Sequence, residues 1–209
     1  MQSANGVKGL KAGAIILAGG KSSRMGTNKA LLPIGDRTTI EILSERMLTV
    51  FDEVIVVAND PGTYKFLNVP VITDRFPGEG PLAGIHAGLK ASSYDLNLVM
   101  ACDMPFASSD LAALFVERGR DFEAVVPNIK GKLHPLFAVY HKHVYEKAGE
   151  CLKKGNRRVT DLLGGLNVLY IDEKAIEAET DVSVDDLFFN MNRPGEYETA
   201  KKKADQRPL

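Results

Sequence analysis

The chain has 209 residues, 44% of them hydrophobic and 25% charged, which suits one sizeable domain with a packed core. Its 26 basic and 27 acidic residues leave a formal net charge of -1, so no global basic field favours nucleic acid or an anionic membrane surface, and any anion must be held locally. No stretch approaches the roughly 20 apolar residues of a membrane span, and the cysteines, Cys102 and Cys151, lie too far apart for a metal motif.

Residues 1–11 carry scattered Gly and Ser without periodicity and read as a flexible leader. The apolar run 14–18 is too short for a signal peptide, and Gly19-Gly20 ends it as a buried parallel strand would be ended. Ile40, Leu43, Met47 and Leu48 then recur at helical spacing behind a cap at Thr38 or Thr39. Residues 54–58 predict a second buried strand and 69–72 a short third. A helix over 81–90 follows, with Pro81 near its start. Residues 96–101 predict a strand, and Ser108 or Ser109 opens a helix through Val116.

The second half is more mixed: strands at 123–127, 135–140 and 168–171, a helix over 142–153, a short edge strand at 188–190 and a closing helix over 195–203. Residues 204–209 read as a solvated tail. Strand–helix alternation argues for an α/β fold, a single three-layer αβα domain over 12–203 with a mostly parallel sheet. The cysteines read as small packed side chains in a reducing cytoplasm.

Between the first strand and the first helix lies LAGGKSSRMGTNK, residues 17–29. A glycine-rich loop in that place lets backbone N–H groups approach an anion. It is not a P-loop, because the position five before Gly20 is Ile15, and it lacks the Gly-x-Gly-x-x-Gly of dinucleotide folds. It resembles the L-A-[GA]-G-x-S-x-R-M-G-x-x-K signature of nucleotidyltransferases, with Arg24 and Lys29 suited to a triphosphate. Asp103 follows a buried strand at the carboxyl edge where open α/β sheets bind ligands. Alone it reads as a turn cap. Beside the loop it reads as a magnesium ligand, since Mg2+ takes one or two carboxylates plus phosphate oxygens.

The set LAGGKSSRMGTNK, ITD, GPLAGI, CDMP and HPLFAV, in this order over residues 14–197, resembles the molybdenum cofactor guanylyltransferase family. That resemblance implies a Rossmann-like nucleotidyltransferase that moves GMP from GTP to the terminal phosphate of molybdenum-molybdopterin and releases pyrophosphate with Mg2+. It places Leu17, Ala18 and Gly19 on guanine and ribose, and Asn59 and Asp74 in the nucleotide site. Lys29 would hold phosphate, with Arg24 beside it in catalysis, and Asp103 would carry nucleotide and metal. Glycines 78, 80 and 84 would close a loop over the nucleotide. Arg157, Arg158, Asn190 and Asn192 resemble the pterin-binding segments. The substrates implied are GTP and molybdenum-molybdopterin, with transient contact to molybdopterin-synthesis proteins or recipient molybdoenzymes.

A phosphomonoester with a second pKa of about 6 is already a nucleophile at neutral pH, so no Ser–His or Cys–His pair is required. The four histidines read as structural, although His141 and His143 have the strand spacing of a metal pair. Two other readings compete. The sister enzyme that attaches CMP usually carries L-A-A-G, and the absence of a methyl at Gly19 favours the purine. A non-catalytic nucleotide-binding adaptor is disfavoured by the presence of both Lys29 and Asp103.

Overall fold

The computed structural model describes residues 10–19, 28–76 and 78–206. Strand β1 (Leu10–Leu17) is apolar and buried from Ala12 onward because it is covered twice. Ala14, Ile16 and Ala18 enter one core cluster, while Ile15 and Leu17 enter another across the sheet. A small antiparallel ribbon follows, β2 (Pro33–Ile34) with β3 (Arg37–Thr38), turning through Gly35 at φ 66°. Helix α1 (Thr39–Leu48) starts from a capping box, in which Thr38 Oγ1 accepts from the Glu41 N–H and the Glu41 carboxylate accepts from the Thr38 N–H.

The chain continues through β4 (Phe51–Val57), β5 (Val71–Ile72), α2 (Pro81–Ala91), β6 (Leu96–Ala101) and α3 (Ser109–Arg118), the last capped by Ser108. Then come β7 (Ala124–Ile129), β8 (Lys132–Leu133), β9 (Phe137–His141), α4 (Val144–Lys153), α5 (Val159–Leu163) and β10 (Val168–Asp172). Helices α6 (Glu173–Glu177), α7 (Val184–Leu187) and α8 (Pro194–Gln206) complete the described chain.

The main sheet has the order β10-β7-β9-β6-β1-β4-β5, with β8 paired to β7. Strand β9 runs antiparallel to both β6 and β7, while the pairs of β1 with β4 and β6, β4 with β5, and β7 with β10 are parallel. Helices α1, α3, α6 and α7 cover one face, and α2, α4 and α5 the other. The expected three layers are therefore present. Strand β1 is flanked by β4 and β6, which the chain reaches in opposite directions across the sheet. Its carboxyl end is the switch point at which such sheets open a crevice.

Helix α2 lies unusually close to this central strand. A Cβ added at Gly88 would stand 2.3 Å from Ile15 Cγ2, and one at Gly84 would stand 3.0 Å from Leu17 Cδ2. Gly84, expected in a closing loop, is instead a packing glycine inside a helix.

Three boundaries differ from expectation. Strand β1 takes in Leu10 and Lys11, which the sequence assigned to the leader, because Leu10 is buried beside Phe51. The edge strand expected at 188–190 does not form. Phe188 instead closes α7 and packs its ring on Phe137, and the following chain turns towards Asp103. Helix α8 runs on through Gln206, with Ala204 against the small cluster of Ile34, Ile42, Met191 and Ala200, so residues 204–206 belong to it rather than to a tail.

Candidate active site

The strand ends create the site. The Ala18 N–H donates to Val57 O at 2.9 Å and the Ala58 N–H to Ile72 O at 2.9 Å, so the turns after β1, β4 and β5 stand side by side. Between them lies a cavity of about 820 Å³ lined by Leu17, Gly19, Val57, Ala58, Asn59, Thr73 and Asp74. Gly78, Gly80, Pro81 and Gly84 complete the lining. The size suits a nucleotide-scale ligand. Gly80 has φ 76° and ψ -165°, a conformation open in practice only to glycine, and it starts α2 at the cavity wall. The amino end of that helix favours an anion.

Of the residues implied for the nucleotide, Leu17, Gly19, Asn59 and Asp74 share this one cavity. A Cβ at Gly19 would come within 3.3 Å of Asn59 Oδ1, a tight contact. Asp74 spends one oxygen locally, accepting from the Phe76 N–H at 2.8 Å, and so combines a turn role with a place in the lining. Ala18 contributes its carbonyl, which accepts from the Tyr64 hydroxyl at 3.2 Å.

Tyr64 was not legible as a site residue. Its hydroxyl also accepts from Asn28 Nδ2 at 2.8 Å, and Asn28 Oδ1 in turn accepts from the Ala30 N–H. One buried side chain thus ties both ends of the glycine-rich loop, across residues 20–27. Arg24 lies in that segment, outside the described residues.

Lys29 begins a short 3-10 turn, and its ammonium donates to Asp103 Oδ2 at 3.2 Å and to Asn192 Oδ1 at 2.8 Å. Both charged side chains are largely buried, at 18% and 17% exposure. The Cys102 N–H donates to Leu17 O at 3.2 Å, which keeps Asp103 beside the end of β1. The other oxygen, Asp103 Oδ1, is buried without a partner among the described residues. A free acceptor on a buried carboxylate fits a hard divalent cation that completes its shell with phosphate oxygens and water. Desolvation, reinforced by the Asp103 charge, pushes the Cys102 thiol up to about 12, so it is no nucleophile.

The residues implied for the pterin are less united. Asn192 joins the Lys29 cluster, whereas Asn190 turns its amide onto Phe188 O at 2.7 Å. Arg157 grips Glu79, between the cavity-lining Gly78 and Gly80, with Nη2 donating to Oε1 at 2.9 Å. Arg158 is exposed at the start of α5 and makes no side-chain cap. Among the described residues no group of three or more His, Cys, Asp or Glu side chains has a metal-holding arrangement. His141 and His143 face each other through Nδ1 at 2.7 Å, and His143 Nε2 turns to Glu123 at 2.9 Å.

A family model described as the MobA-like NTP transferase domain matches residues 14–167. The chain belongs to this family. It is 36% identical over 187 residues to the "Probable molybdenum cofactor guanylyltransferase" of Carboxydothermus hydrogenoformans, covering 90% of this chain and 93% of that one. With the protein of the same name from Pelotomaculum thermopropionicum it shares 37% over 196 residues, covering 94% and 95%. The fold superimposes on molybdopterin-guanine dinucleotide biosynthesis protein A from Archaeoglobus fulgidus with a TM-score of 0.82 at 24% identity, over 93% of this chain and 99% of that one. The match takes in the glycine-rich loop and the sheet up to, but not including, β10. The family match ends before Asn192, which nonetheless reaches the cluster.

Proposed function

We propose that the protein transfers GMP from GTP to the terminal phosphate of molybdenum-molybdopterin, releasing pyrophosphate and forming the guanine dinucleotide cofactor. The observation that carries this reading is the pairing of Lys29 with Asp103 beside a nucleotide-sized cavity at the end of β1. The names of the relatives, at 36% and 37% identity over most of the chain, support the guanine and the pterin.

In this mechanism the purine and ribose lie in the cavity, against Gly19, Asn59 and Asp74. Gly19 leaves room where a methyl would press on Asn59. The triphosphate runs towards Lys29, whose ammonium neutralises charge that builds on the phosphorus oxygens, with Arg24 assigned the same duty. The acceptor phosphate needs no base, so the chain supplies alignment and charge. Asp103 Oδ1 would hold Mg2+, and such an ion supplies further charge neutralisation across the phosphates. Arg157, Arg158 and Asn190 are assigned to the acceptor, the arginines to its phosphate. No described helix is long and apolar enough to cross a membrane, and the reading places the enzyme in the cytoplasm.

The test is pyrophosphate release by purified protein with Mg2+ and molybdenum-molybdopterin, comparing GTP, CTP and ATP at equal concentration. Release with GTP alone is expected. Faster release with CTP would transfer the reading to the CMP-attaching sister activity. Asp103→Ala should retain the fold, because the contact that ties this residue to the C-terminal segment uses its backbone carbonyl. It should nonetheless lose transfer by at least about a hundredfold, the scale of a lost charge-stabilising group. Near-normal turnover in that variant would remove Asp103 from the mechanism.

A further inference from the structure

We propose that Asn192 is a positioning residue for Lys29, and that the C-terminal segment is therefore a working part of the nucleotide site. The inference rests on the transferase reading above and assigns Asn192 a task other than contact with the acceptor. Lys29 has a flexible four-carbon stem and three donors, and a triphosphate needs its ammonium at one place. Asp103 Oδ2 provides one fixed acceptor at 3.2 Å and Asn192 Oδ1 a second, closer one at 2.8 Å. Two acceptors leave the third proton for phosphate. A neutral amide can hold the ammonium without a second carboxylate that would repel the triphosphate.

Asn192 can do this only if its own backbone is held, and it is held from three sides. The neighbouring Met191 N–H donates to Asp103 O at 2.9 Å, and the Met191 side chain is fully buried with Ile34, Ile42 and Ala200. Glu196 accepts from the Asn192 N–H at 2.6 Å and the Arg193 N–H at 2.9 Å, capping α8 behind Pro194. The Tyr197 hydroxyl donates to Pro33 O at 2.6 Å, binding α8 to the β2–β3 ribbon. The segment is thus fastened to the residue that Lys29 also contacts.

The experiment measures nucleotide binding with no acceptor present. Asn192→Ala should weaken GTP about tenfold by calorimetry, the loss expected for one hydrogen bond to a charged group. In a Lys29→Ala background the same change should do nothing more, because its route is gone. Glu196→Ala should act in the same direction and more weakly, with Glu196→Gln, which keeps an oxygen acceptor, close to wild type. These two variants carry the test if Asn192→Ala does not fold. Unchanged GTP affinity in both Asn192→Ala and Glu196→Ala, or losses that add to that of Lys29→Ala, overturns the proposal. An Asn192→Ala variant altered only in acceptor KM would make the residue a plain acceptor contact.

A second readout is independent of nucleotide. Acetylation of Lys29 by an N-hydroxysuccinimide ester, followed by peptide mass spectrometry, should run several-fold faster in Asn192→Ala. An unchanged rate also overturns the proposal. Wild-type protein that binds neither GTP nor CTP refutes the transferase reading instead, and the labelling rate still decides the role of Asn192.

Discussion

The proposed preference for a purine turns on the methyl that Gly19 lacks. Its hypothetical Cβ would stand 3.3 Å from Asn59 Oδ1, so the side chain of Asn59 must give way or the ligand must. A purine fills more of the same cavity than a pyrimidine and has less room to shift. Gly19→Ala is therefore expected to lower kcat/KM for GTP about tenfold, the lower end of what one pocket methyl achieves, with a smaller effect on CTP. Equal losses with both nucleotides would show that Gly19 serves the loop and not the base. At this scale the sequence was informative about chemistry and silent about partners. Lys29 could be picked out because it closes the glycine-rich signature, and Asp103 because it stands just after a strand end. Tyr64 could not, since nothing in an isolated tyrosine between two prolines signals that its hydroxyl will reach Ala18 O and Asn28 from far along the chain. Asn192 was legible only by likeness, and its contact with Lys29 joins residues 163 positions apart.

The elements were legible wherever periodicity and caps agreed. Thr38 or Thr39, Ser108 or Ser109, and Pro81 marked three helix starts, of which the structure uses Thr38 and Ser108 as the caps, and continuous apolar runs marked the doubly covered strands. Residues 188–190 failed for a clear reason: two aromatic residues before an asparagine look like an edge strand, but Phe188 packs edge-on against Phe137 and tilted against His134 instead of pairing. The sequence reads 81–90 as a helix but assigns the glycines of the GPLAGI stretch only to loop closure, which misses half of their meaning. Gly78 and Gly80 supply positive φ in the turn over the cavity, whereas Gly84 and Gly88 let α2 rest against β1. Gly88→Ala forces a methyl to 2.3 Å from Ile15 Cγ2, both sides of the contact belonging to regular elements that cannot easily part. Overpacking of this kind costs about 1–3 kcal/mol despite the better helix propensity of alanine. In a chain of this length that lowers Tm by roughly 2–12 °C, at about 2–4 °C per kcal/mol. A variant as stable as the wild type by calorimetric melting would mean that α2 can slide away from β1, and that its hold on the cavity is loose.

At the scale of the whole molecule, both halves hang on one sheet because β9 lies between β6 and β7 and pairs antiparallel with each. Protonation of groups along this seam must therefore be felt by the fold as a unit. Burial above all, with Lys132 adding, holds the His134 imidazole down to about 4, where it packs 4.7 Å from the Phe188 ring. His86 and His141 are also lowered by burial. Glu123 is held at about 2, chiefly by its hydrogen bond from Lys147 and also by the Asn167 N–H. The sign follows from linkage. Above the ordinary histidine value of 6.5 the imidazoles are neutral in both states, and stability is at its full value. Between 6.5 and about 4 the unfolded chain binds protons that the folded His134 refuses, so stability falls with falling pH. From the ordinary 4.5 of a glutamate down to about 2, Glu123 adds a second loss, as unfolded carboxylate protonates first. The urea midpoint should thus be level at neutral pH and decline from near 6.5. His134→Phe keeps an aromatic ring beside Phe188 and should visibly flatten the upper part of that decline, leaving the Glu123 limb below 4.5. The same slope in both proteins would move the pH dependence from His134 to His86 and to His141, which ends β9 itself.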